Sequence, residues 1–255
     1  MNEKASGSDR LRAFLVLAAT IGTIAFNWLA AVGKVNGITP EMISDKYPTV
    51  LTPAGYAFAI WSLIYLGMTA FSIYQLPSVN ATRFRDVRSL YILSCTFNCA
   101  WIYFWHQDQI VICFAIILGL LITLLLINIK LRNPSSTAEA ALTKVPFGIY
   151  FGWVTAASLV NFAVLLVYLN VGMSVSVATV MGVSLIVFAA AMGVLVRIKL
   201  TNYFYPLAIA WALTAIAVEQ SGQTLIVSVA AVGVIACLIA SLSFVMTLGA
   251  TETRG

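Results

Sequence analysis

Charge is scarce in this 255-residue chain: 9% of its residues are Asp, Glu, Lys or Arg and 61% are hydrophobic, against roughly 25% charged in soluble domains. That balance excludes an ordinary soluble domain and leaves a polytopic membrane protein. Histidine is scarcer still, with His106 alone. The four cysteines, Cys95, Cys99, Cys113 and Cys237, all lie within apolar stretches, so neither a disulfide framework nor a four-ligand zinc site is expected. Cys95 and Cys99, one turn apart, read as small soft side chains in a helix seam. The chain also has no serine, histidine and carboxylate arrangement, no phosphate-cradling glycine loop and no paired carboxylates in mid-span. The residues themselves therefore give no support for an enzyme. Ion-coupled transport is disfavoured too, because it usually buries ionisable groups along the pathway. No continuous basic stripe with interleaved aromatics is present, and nucleic acid is not an expected partner.

The few charges are informative in their placement. Lys34 and Lys46 are the only basic residues in one set of gaps between apolar runs; the other twelve of the 14 lie at the amino end, in the alternate gaps (Arg83, Arg85, Arg88, Lys130, Arg132, Lys144, Arg197, Lys199) and at the tail. This bias orients helical membrane proteins with their basic loops in the cytoplasm. Spans of about 20 apolar residues are predicted near 11–33, 53–76, 88–106, 109–131, 145–169, 176–197, 204–219 and 224–248. The expected fold is an all-α bundle of eight membrane spans with both termini cytoplasmic, in a bacterial inner membrane. The seventh span depends on the polar break Glu219–Gln223. The first apolar run ends in Asn27–Trp28 without a small-residue cleavage pattern and reads as a retained anchor. The net charge of +5 follows from the orienting loops.

Polar and aromatic residues form stripes within the predicted spans. Ser94, Asn98, Trp101 and Trp105 share one helical face, as do Tyr150, Trp153, Ala157 and Asn161, and as do Phe58, Trp61, Tyr65 and Met68. At ~1.5 Å of rise per residue, Trp61 and Asn98 each lie about 12 Å below the outer surface, with Trp153 deeper. An interfacial belt of aromatics explains Trp28 and Trp105; Trp61, Trp153 and Asn161 are too deep for it. For those three a ligand pocket and ordinary interhelical packing stand at even odds.

The segment from Thr52 to Tyr65, Thr-Pro-Ala-Gly-Tyr-Ala-Phe-Ala-Ile-Trp-Ser-Leu-Ile-Tyr, resembles the second-helix signature of the translocator protein family, the tryptophan-rich sensory proteins. Phe97–Phe104, an asparagine followed by aromatics, is similar to the family's third-helix pattern. Tyr150–Asn161, in which Trp153 precedes Ala157 by four positions and Asn161 by eight, resembles the fifth. The resemblance covers residues 11–170 and implies a five-helix bundle. It also implies a pocket for porphyrins, sterols or synthetic aromatics beneath a capping loop, and commonly a dimer. It assigns Trp61 and Trp153 to the ligand, Asn98 and Trp101 to the pocket wall, Ala157 to a small residue giving room, and Tyr47 to the cap. Tyr65, Phe58, Tyr150 and Asn161 complete the expected ligand-binding set. Light-dependent porphyrin breakdown enters by resemblance only, and no cofactor is required. A bound porphyrin, haem, sterol or lipid is the expected cargo, with His106 as an improbable axial haem ligand and a solvated side chain the favoured reading.

The chain departs from the family pattern at Ala59 and Gly55, where proline and tryptophan respectively are usual, and at Ile149 in place of proline. Residues 171–250 are expected to form an additional three-helix region, poor in mid-membrane polar groups, that serves as packing or partner surface. Tyr203, Phe204, Tyr205 and Trp211 read as an inner aromatic belt. Gly148, Gly152 and Ala156 mark a close helix seam, with packing inside the chain favoured over a contact between protomers. The expected function is binding of an apolar planar ligand by a receptor-like membrane protein. The alternatives are an uncoupled carrier and a structural subunit of a larger membrane or pigment assembly.

Overall fold

A computed structural model describes residues 6–77, 80 and 82–252, with side chains described as far as residue 243. Among the described residues the regular structure is entirely helical: α1 (Gly7–Ala31), α2 (Pro40–Lys46), α3 (Ile60–Tyr74, entered through a 3₁₀ turn at Gly55–Ala59), α4 (Arg85–His106), α5 (Ile110–Lys130), α6 (Thr137–Tyr168), α7 (Val175–Leu200), α8 (Tyr205–Glu219) and α9 (Thr224–Glu252). Each predicted span corresponds to one of these helices. Six of them are long and apolar enough to cross a membrane. The exceptions are α4, whose first turn carries Arg85, Asp86 and Arg88, and α8, which at 15 residues reaches only about 22 Å against the ~30 Å hydrocarbon layer. α2 was not foreseen. Thr39 caps it and Pro40 occupies its first turn, where a missing N–H costs nothing.

The chain forms two compact units. The first comprises Met1–Tyr47 and Ala59–Phe147, the second Pro48–Phe58 and Gly148–Gly255, so α6 contributes to both.

In the first unit, α1 is the organising helix. Ser6 and Asp9 form a capping box at its start, and Asp9 also takes a two-pronged grip from Arg85 at 2.8 and 2.9 Å. The buried residues of α1 are Asp9, Ala13, Val16, Thr20, Thr23, Asn27 and Ala30. Their alternating steps of four and three are the 3.5-residue seam of a helix wound against its neighbours. In lipid such a seam gains little from hydrophobicity and relies on close packing and hydrogen bonds. Thr20 shares hydrogen bonds with Ser72 and Tyr91, both at 2.6 Å, and Asn27 donates to Asn98 at 2.7 Å. Around them Phe71 packs on Phe84, Tyr91 and Phe147 at centroid distances of 5.5, 5.4 and 4.9 Å. α3 approaches α6 at Gly67, where an added Cβ would lie 2.5 Å from Pro146 Cβ.

In the second unit, α8 is buried nearly all round, from Tyr205 and Pro206 to Ala215 and Ile216, and packs against α7 and α9. The predicted seam on α6 closes within the chain: Gly148 makes room for Asn202, and Gly152 for the Tyr205 carbonyl and Ala208. Cys237 packs beside Gly193. Tyr205 is fully buried with its hydroxyl donating to Thr155 at 2.9 Å, which corrects its assignment to an interfacial belt: the ring fills an interior site because its polar tip finds a partner there.

Candidate ligand site

The sequence-predicted residues divide between the units. In the first, Trp61 and Tyr65 are half-buried on α3 and stack with centroids 5.5 Å apart and planes 19° from parallel. They flank the fully inward face of α3, which is Ile60, Ile64, Met68 and Phe71. The Tyr65 phenol reaches the side chain of Asn98, whose amide oxygen accepts from Asn27. Trp101, also buried, stacks on Trp105 at 5.3 Å and 21°. In the second unit, Phe58 sits edge-on to Trp153, with centroids 6.2 Å apart and planes at 77°, the favoured aromatic arrangement. Tyr150, Trp153 and Asn161 are buried and Ala157 is half-buried. The Asn161 amide donates to its own helix at Ala157 O, 2.9 Å away.

Two assignments to the membrane interface are corrected. Trp105 is 2% exposed, because α2 folds over this end of α4 and its Pro40 carbonyl accepts the indole N–H at 3.0 Å. His106, read as solvated, is 3% exposed: its Nδ1 pairs with the Ile102 carbonyl at 2.8 Å and its backbone carbonyl accepts from Asn36. Its Nε2 is buried without a hydrogen-bond partner among the described residues. No cluster of three or more potential metal ligands occurs among the described residues. Trp28, by contrast, is 62% exposed.

The same end of the first unit carries a latch. Asp108 ends α4 in the left-handed conformation, φ 59°, which aspartate and asparagine tolerate better than most residues. Its carboxylate pairs with Lys46 and accepts from the Tyr47 hydroxyl at 2.7 Å, tying the exit of α2 to α4. Burial opposes ionisation of Asp108, but the Lys46 ammonium and Tyr47 hydroxyl outweigh it and hold the carboxyl below its ordinary 3.8. Hydrogen bonds to Asp108 and Tyr47 raise Lys46 above 10.5. A depressed carboxyl contributes stability above its unfolded value and loses it as pH falls through the folded one; a raised ammonium loses its contribution as pH rises through its folded value. The latch therefore holds across the window between 3.8 and 10.5. Both side chains are well exposed, so the ion pair contributes below about 1 kcal/mol. We expect trypsin cleavage after Lys46 to be equally slow at neutral and mildly alkaline pH. Cleavage is expected to accelerate several-fold in Asp108→Asn, which keeps the left-handed turn and loses the charge.

Sequence reasoning missed the polar face of α1, Thr20, Thr23 and Asn27, although three polar residues at steps of three and four within an apolar run signal an interhelical seam. It also missed a shallow apolar groove of about 580 Å³ between α1 and α4, lined by Gly22, Thr23, Phe26, Cys99, Tyr103 and Phe104 among others.

The segment before α3 is held by the C-terminal helices. Ala54 N–H donates to Ala215 O at 3.0 Å, Trp211 donates its indole N–H to Ala57 O at 3.0 Å, and the Tyr56 ring meets Trp211 edge-on at 5.4 Å. Gln220 donates to the carbonyls of Thr49 and Thr52, each at 3.2 Å. The C-terminal region, expected to serve as packing or partner surface, thus holds the segment that leads into α3. The comparisons with known proteins agree in extent. No curated protein and no solved structure matches the chain significantly. The family profile described as TSPO-like protein matches residues 13–244, so the resemblance does not stop near residue 170 but runs through α7, α8 and most of α9. The chain is an integral membrane protein of helical architecture and belongs to the TSPO-like protein family.

Proposed function

We propose that this protein binds a porphyrin, or another apolar planar ligand, in an aromatic site within the membrane and acts as a receptor or sensor. The observation that most supports this reading is the pairing of the motif aromatics inside the helical units: Trp61 on Tyr65 and Phe58 against Trp153; a ligand's polar edge would exchange into the hydrogen bonds that the buried amides of Asn98 and Asn161 already make. Paired rings are held in fixed orientations, so little side-chain entropy is lost when a flat ligand stacks on them. The proposed topology is eight spans with both termini cytoplasmic in a bacterial inner membrane. The shortness of α8 is compatible with it, since a helix shielded by α7 and α9 need not match the bilayer thickness by itself.

Protoporphyrin titration, followed by quenching of tryptophan fluorescence in the detergent-purified protein, tests the reading. Removing a stacking indole is worth about 1–2 kcal/mol, or roughly five- to thirtyfold in Kd. Trp61→Ala and Trp153→Ala are each expected to weaken binding by that factor. Unchanged affinity in both variants would falsify the assigned site.

A further inference from the structure

The last turn of α7 carries two cations, Arg197 and Lys199, and no described carboxylate lies within ion-pair distance of either. The two differ in surroundings. Lys199 is exposed, and its position at a helix C-terminus, where the partial charge is negative, explains a cation there. Arg197 is only partly exposed. Its guanidinium carbon lies 3.9 Å from the centroid of the Tyr203 ring, and its Nε is buried without an acceptor. Tyr203 is anchored from α9, since the Ser241 hydroxyl donates to its carbonyl at 2.7 Å. The turn between α7 and α8 is also fixed: Thr201 takes the left-handed conformation, φ 49°, and Asn202 Oδ1 accepts from Phe204 N at 3.0 Å.

A helix dipole accounts for a solvated cation. It does not account for a guanidinium held on an aromatic face with its Nε shut away from water and its outer nitrogens without a described protein acceptor. Stacking keeps the planar fork in one orientation, and that fork suits two oxygens of a phosphate. Leu195 and Ile198, 46% and 59% exposed on the same stretch of α7, offer apolar ground beside it. The geometry points to Arg197, seated on Tyr203, as a binding site for the phosphate of an anionic phospholipid whose acyl chains lie along this end of α7. A free phosphate would satisfy the fork and leave the neighbouring apolar surface unused, which favours the lipid. Residues two apart on a helix do not face each other, so Lys199 is outside the site and serves as its charge control.

The test uses the full chain in phosphatidylcholine nanodiscs with and without phosphatidylglycerol, reading the thermal unfolding midpoint. A ligand that binds the folded state raises that midpoint. Phosphatidylglycerol is expected to raise it by several degrees in the unaltered protein and in Lys199→Gln, and most of the rise is expected to vanish in Arg197→Gln and in Tyr203→Leu. Arg197→Lys keeps the charge, loses the fork and is expected to retain less than half of the rise, which covers the case of poorly folding Arg197→Gln. Equal losses in Arg197→Gln and Lys199→Gln would mean diffuse surface charge and overturn the site. So would the same rise from inorganic phosphate in phosphatidylcholine alone, or no dependence on phosphatidylglycerol at all.

Discussion

Gly152→Ala is expected to destabilise the protein by about 3 kcal/mol, the upper part of the range for overpacking a tight interior. A Cβ at this position would fall against the Tyr205 carbonyl oxygen, well inside van der Waals contact, and 2.9 Å from Ala208 Cβ. A side-chain tip could swing aside; a backbone carbonyl at the start of α8 can move only if α6 and α8 separate. The same substitution ordinarily stabilises a helix by up to about 1 kcal/mol, so the steric cost must overcome that gain. Gly22→Ala is the control, because nothing lies within 4 Å of the Cβ it would add; it is expected to be neutral or slightly stabilising. Denaturant unfolding of both variants in the same detergent reads the contrast. A Gly152→Ala protein as stable as Gly22→Ala would show that the α6–α8 approach has slack that the packing does not reveal.

Arg88→Ala is expected to be comparably severe, at about 3–5 kcal/mol. Arg88 is fully buried, with Nε donating to the Gln75 side-chain oxygen at 2.8 Å and a terminal nitrogen donating to the Gln75 and Asn80 carbonyls at 3.3 Å. Gln75 in turn donates to Ala13 O on α1 and to Ser72 O. One guanidinium therefore joins α4 to the end of α3 and, through Gln75, to α1. Truncation leaves these acceptors in an interior with no water to replace the donor, and the cost of such orphaned groups exceeds the net worth of the bonds themselves. Arg88→Met, which refills the volume without donors, separates lost packing from lost hydrogen bonding and is expected to recover less than half the loss. Full recovery by methionine would reduce Arg88 to a space-filler.

Hydropathy and charge alternation located a helix at each predicted span, because lipid imposes its length and its asymmetry on one-dimensional sequence. The stripes on α4 and α6 were legible for the same reason: Asn98, Trp101, Tyr150 and Trp153 repeat at helical spacing and are buried. What failed lay at the helix ends. Trp105 and His106 stand where an aromatic belt belongs, and only the short α2 folding back over α4 removes them from solvent. That return is a tertiary event that neither residue announces, although Thr39-Pro40-Glu41 carries a helix-start signal. Tyr205 was misplaced likewise, since its partner Thr155 lies 50 residues away. The proposed site is legible in the sequence only as a set of residue types; the partners of each ring are not, because ring pairing depends on how separate helices meet.

The hold of α8 on residues 48–58 bears on how the protein is made. Trp211, which clasps Ala57, lies 154 residues further along, so that entrance stretch leaves the ribosome long before its clasp exists. Until then the Ala54 amide must be satisfied by water or by the insertion machinery, and the motif after it cannot take its final setting. A chain cut after α6 would keep every aromatic of the recognisable signature and still lack the brace that seats the first of them.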